Sequence, residues 1–278
     1  MPHDRTASEH LAIDFGIVLH GWGALRDALF GMPKLFFSGA LVTALLTFTA
    51  WKLQGAYHDL LSGVPDTMRD GIDFGYTLLV DICDSLVLAA VAVPVHRLVL
   101  LNEKRDGLVN LFSPRVWRFA FWLVVLELGG FLALFPLPLL LRVAPMETMA
   151  VVTAMVAALL ALAYAAVRLS LLFPAIAIDM PARGRVVSSW ALSRGHFWRI
   201  IITAVFAMTP LLFVMLLVTL AVSAAIGLSG SLVHVFDTLM WFEIAVTALS
   251  RPIGVALGAA VLSWNYKLAR DEVTEGQA

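Results

Sequence analysis

Six charged residues fall inside long apolar runs of this 278-residue chain: Asp81, Asp84, Glu127, Arg168, Glu243 and Arg251. A charge at mid-bilayer costs at least about 2.5 kcal/mol on insertion scales, so each is expected to have a partner. Two chemistries suit such a set. The residues can line a path for an ion, a proton or a polar solute, or they can close on one another as buried pairs that orient helices. Asp81 and Asp84 are three residues apart and so share a helix face. Glu127 and Arg251 both fall near the middle of their runs, which makes Glu127 the first expected partner of Arg251 and Asp84 the second. Transport paths commonly accompany paired, glycine-broken helices. The prolines here are scattered instead, which favours the structural use.

Other chemistry finds little support. Gly227-Leu228-Ser229-Gly230 matches the serine motif of rhomboid proteases, but a serine nucleophile needs a histidine within hydrogen-bond reach. His3, His10, His20, His58, His96, His196 and His234 are all expected in loops or at interfaces. Neither a histidine-cysteine-carboxylate cluster with metal-ligand spacing nor a phosphate-binding glycine loop is present, so neither metal nor cofactor is expected. A net charge of −1 gives no basic excess for nucleic acid. An enzyme is therefore not expected.

The elements that must carry these residues are membrane helices. Charged residues make up 14% of the chain, against about 25% in a soluble domain. The apolar runs predict an all-α, polytopic transmembrane bundle of six spans, at about 35–51, 76–98, 117–141, 149–172, 200–226 and 240–264. Residues 1–34 form a cytoplasmic N-terminal segment, 35–267 the membrane domain and 268–278 a disordered cytoplasmic tail. No cleaved signal peptide is expected. Of 19 lysines and arginines, fourteen fall in the segments on one side, with Lys52, Arg69 and Arg142 opposite. The positive-inside rule then puts both termini in the cytoplasm.

Short interfacial amphipathic helices are expected before the odd-numbered spans. Val18, Trp22, Leu25 and Leu29 make one stripe before the first span. Arg183, Arg185, Trp190, Arg194, Trp198 and Arg199 are the expected lipid-headgroup contacts before the fifth, with Val186 and Val187 on the buried face and Gly195 as helix stop. Gly254 and Gly258, and Ala157, Ala161 and Ala165, have the four-residue spacing that lets helices approach closely. Packing within the chain is their expected use, and homodimerisation is the alternative.

Pro174-Ala175-Ile176-Ala177-Ile178, then Ser189 to Gly195 and Trp198-Arg199, resemble the shared segment of YciC-like six-helix bacterial membrane proteins, a group related to the membrane domain of some glycerophosphodiester phosphodiesterases. The resemblance covers about Arg168 to Arg199. It implies a bacterial inner-membrane location and brings no catalytic residue. The expected role is a non-enzymatic scaffold, regulator or lipid-contacting protein. The alternative is a transporter or channel for ions, small solutes or lipids that uses the intramembrane charges. Expected partners are membrane lipids, with a second copy or another membrane protein through the small-residue faces.

Overall fold

A computed structural model describes the backbone of residues 7–60, 66–134, 148–179, 185–229 and 235–275. These are helices joined by short turns and one irregular loop over residues 102–107: α1 (Ala7–Gly31), α2 (Pro33–Leu60), α3 (Asp66–Leu101), a 3-10 turn (Leu108–Phe112), α4 (Pro114–Leu134), α5 (Thr148–Ser170), α6 (Leu172–Ala177), α7 (Arg185–Leu192), α8 (Phe197–Ser229) and α9 (Val235–Glu275). Five helices are long and apolar enough to cross a membrane: Pro33–Leu53, Gly75–Leu101, Val152–Ala177, Phe197–Ala225 and Leu239–Val273. The expected third span corresponds to α4, and its remainder to Leu141 lies outside the described residues.

The core lies where α9 meets α1, α2, α3 and α8, with α4 and α6 closing the far side of α3. Between membrane helices there is little hydrophobic gain, because lipid tails are as apolar as leucine. Close packing must hold them, and small residues permit it. Ala89, Ala90 and Ala92 of α3 and Ala256, Ala259 and Ala260 of α9 are buried in the shared core. Gly39 of α2 sits against Val91 of α3 and Pro252 of α9. Phe48 stacks on Trp241 at 5.6 Å, and the Tyr76 hydroxyl donates to the Ala50 carbonyl at 2.6 Å, tying α2 to α9 and α3.

Several expected boundaries move. The fourth span does not stop at Leu172. After a turn at Leu171 the chain re-enters a helix to Ala177, all of it buried. Pro174 is the third residue of that helix, where a missing N–H costs nothing. The tail expected to be disordered from 268 is helical through Glu275, because Tyr266 and Ala269 are buried and Glu272 is tied down. The structure places a 3-10 turn, and not an α-helix, ahead of α4. α7 ends at Leu192, and Gly195, with φ of +87°, shapes the turn beyond it.

Val18 and Leu25 of the N-terminal stripe are buried, and Trp22 and Leu29 pack on the same core. The seat is narrow: a Cβ at Gly21 would come 2.6 Å from Val261 Cγ2. Gly21→Ala gains about 1 kcal/mol of helix propensity and loses about 1–3 kcal/mol to overpacking against a stiff β-branched side chain. Gly21→Ala should therefore lower the melting temperature in detergent, and should raise it once Val261→Ala makes room. A rise in the wild-type background would mean that α1 does not sit on α9 this way.

Candidate functional site

Asp81, Asp84 and Ser85 lie within about two turns of α3; Asp84 meets α9 and Ser85 meets α4, while Asp81 is exposed. Arg251 of α9 pairs with Asp84, and Ser85 Oγ donates to Glu127 Oε2 at 2.9 Å. This reverses the expected order of partners. Glu127 is within electrostatic reach of Arg251, but the hydroxyl next to Asp84 holds it, and the guanidinium goes to the carboxylate directly across. Asp81 belongs to the same group of charges. Glu243 is exposed and makes no contact with this group.

Arg168 is elsewhere and 6% exposed. Its guanidinium lies over the Trp190 ring at 4.7 Å and near the Tyr164 ring at 5.8 Å. No carboxylate meets it among the described residues. Ser189 and Ser193 of the α7 region both donate to the Arg168 carbonyl, at 3.3 and 3.0 Å. The serines therefore face the protein, and Trp190 covers the arginine.

Of the expected headgroup contacts, Trp198 and Arg194 are exposed. Arg199 is not free: it donates to Glu272 Oε1 at 2.9 Å, and His196 Nε2 lies 3.1 Å from the other oxygen. Arg183, and the side chains of Arg185, Val186 and Val187, lie outside the described residues. The two small-residue sets part ways. Gly254 and Gly258 receive Leu211 and Met208 of α8, at 3.6 and 3.3 Å from a built Cβ. Ala157 and Ala161 are exposed and Ala165 half-buried, so the alanine stripe does not serve packing within the chain as expected. The α4–α5 contact uses Gly129 and Gly130 against Leu162.

A polar set that the sequence reading passed over lies buried at one end of the bundle. Arg97, 7% exposed, donates to Glu103 Oε2 at 3.0 and 2.6 Å and to the Ala177 carbonyl at 2.9 Å. It thereby closes the C-terminus of α6 and holds the loop after α3. The Glu103 carboxyl is kept below its usual range by that hydrogen bond. Asp106 accepts from the Leu35 N–H at 3.0 Å, and Arg115 pairs with Asp179. His96 lies one residue before Arg97, inside α3 and fully buried, not at an interface as expected. Its Nδ1 is 2.7 Å from Ser263 Oγ. The signal that could have found these residues is a polar side chain in an apolar run, which Ser263 and Asn265 also supply.

Two hollows flank this framework. One of about 720 Å³ lies between α1, the end of α3 and α9, with His20, Asp27, Lys104 and Trp264 on its walls. The other, about 640 Å³, lies between α3, α4, α8 and α9. Phe119 and Leu123 wall it on one side, Met208, Leu211 and Met215 on the other, and α9 contributes Val246 to Leu262, with Arg251 among them. Asp84 and Glu127 are not on its walls. No metal-ligand cluster occurs among the described residues. No family model, curated protein or solved structure matches this chain.

The ion-pair geometry sets the outcome of a double-mutant cycle in detergent. Arg251→Leu or Asp84→Leu alone should destabilise by a few kcal/mol, and the double variant by much less than the sum. Arg251→Leu with Glu127→Leu should come close to additive. Strong coupling to Glu127 and none to Asp84 would overturn the assignment.

His196 sets a pH dependence. Burial lowers its imidazole below the ordinary value, Arg199 adds to this, and Glu272 opposes it. The unfolded chain then binds more protons than the folded one. The contribution is present above about pH 6.5 and fades as pH falls below it. Wild-type melting temperature should drop from about pH 7 to pH 5, and His196→Gln should flatten that slope. An identical slope in both proteins would rule the histidine out as its source.

Proposed function

We propose that this chain is a non-enzymatic membrane protein that contacts lipid through a lateral apolar cleft. One observation carries the reading: Asp84 is paired with Arg251 and Glu127 with Ser85, whereas the cavity beside them is walled mostly by apolar side chains and does not reach Asp84 or Glu127. Such a space suits a hydrocarbon chain and gives an ion nothing to replace its hydration. Its side is open, since α4 and α8 scarcely touch and Leu212 on the wall is 65% exposed. Ser263, the serine that meets a histidine, is fully buried and off the cleft wall, which argues against an acyl-transfer role.

The wider frame is also proposed: six spans with α4 as the third, both termini cytoplasmic, and a place among the YciC-like proteins of the bacterial inner membrane. The charge asymmetry and the membrane-length helices support it. α1 and α7 would lie at the cytoplasmic interface, where the exposed Phe15, Leu19 and Phe30 of α1 meet acyl chains.

Reconstitution tests the reading. Liposomes holding the protein should show proton flux no higher than empty ones, and protein exchanged into fresh detergent should retain phospholipid. Gly258→Leu projects into the cleft against Met208 and should cut the retained lipid several-fold. Proton flux that Asp84→Asn abolishes would replace this reading with a transporter.

A further inference from the structure

His96 is 1% exposed and lines the apolar cleft at the end away from Arg251. Ser263, 0% exposed, makes its one hydrogen bond among the described residues to His96 Nδ1. A hydroxyl has a single hydrogen, and the acceptor available to it here is Nδ1. With Nδ1 accepting, a neutral imidazole carries its proton on Nε2; this tautomer is assigned from the network. Nε2 has no partner among the described residues. Ala92, Phe173 and Leu262 around it offer none, and the Phe119 ring, 5.7 Å away and tilted by 46°, is at best a weak acceptor. An N–H left bare in such surroundings costs about 1–3 kcal/mol. Buried polar groups are otherwise nearly always satisfied.

We propose that the cleft seats one acyl chain of a membrane glycerophospholipid, with His96 Nε2 donating a hydrogen bond to that chain's ester carbonyl. The inference rests on the lipid-contacting reading and names its ligand. Three features fit. The α9 wall runs from Val246 to Leu262, sixteen helical residues or about 24 Å, a length that fits within a hydrocarbon core about 30 Å thick. The Arg97 guanidinium is spent on Glu103 and the Ala177 carbonyl, and no lysine or arginine other than Arg251 lines the cleft among the described residues, so a neutral acceptor suits this end better than a phosphate or carboxylate. Arg251, on the same wall, is neutralised by Asp84, so its charge does not call for an anionic ligand group.

The test uses delipidated wild-type protein and an equimolar mixture of dioleoyl phosphatidylcholine and its dioleyl diether counterpart, which lacks the carbonyls. Bound lipid is read by native mass spectrometry. The diester should be retained about five- to tenfold over the diether, the worth of one buried hydrogen bond. His96→Phe, which keeps a ring in the core, should bring the ratio to one without emptying the cleft. A second reading needs no variant: the infrared band of a carbon-13 ester carbonyl should shift to lower wavenumber in the bound lipid. Equal retention of the two lipids by wild type, with both displaced by Gly258→Leu, overturns the hydrogen bond and leaves the lipid cleft standing. Retention that Gly258→Leu does not change overturns the cleft itself.

Discussion

The close approach of α3 and α9 is the constraint on which the other contacts depend. In a bilayer two helices gain little by hiding apolar surface from each other, so backbones must come near enough for packing and interhelical hydrogen bonds to hold. The alanines along both helices permit this. Once the helices are that close, Asp84 finds Arg251 and His96 finds Ser263, about a dozen residues apart along each helix. One larger side chain in place of Ala90 or Ala260 would separate both pairs together, leaving a carboxylate and an imidazole in hydrocarbon.

The same economy explains the cleft. α8 leans on α9 and α1 but hardly on α4, and the gap falls where Gly254 and Gly258 have no side chains to fill it. The glycine faces take Leu211 and Met208 of α8 against the α9 backbone, and the gap opens beside those contacts. Met208 and Met215, long and easily rearranged, border that room from α8. The aliphatic and aromatic walls are therefore adjustable on one side and fixed on the other.

Much of the architecture was legible from composition and period alone: the described residues form no strand, and five of their helices are membrane-length. What escaped was whatever depends on how neighbouring helices rotate. Depth put Glu127 ahead of Asp84 as the partner of Arg251. The choice was made by Ser85, one residue further round α3, a distinction that no spacing rule expresses. The expected fourth span ends at Leu172, two residues before Pro174, but a proline in a first turn interrupts nothing. Arg97 was counted among loop cations. Its long stem let the charge reach back into the fold and close a helix end eighty residues away. The tail looked too polar to fold, yet two apolar residues and one shared carboxylate are enough to extend a helix already anchored at its other end.

Both α3–α9 polar pairs span 167 residues of sequence. The helix at the centre is the last of those described, so ribosomal synthesis delivers the keystone after the arch. Until α9 emerges, Asp84 and His96 face a vacant slot lined with alanines, and the growing chain holds an unneutralised carboxylate at membrane depth. A chain without α9 thus differs chemically from a finished one by the charges that this helix neutralises, Asp84 within the bundle and Arg199 at its edge, and the arrival of Arg251 and Glu272 completes both pairs.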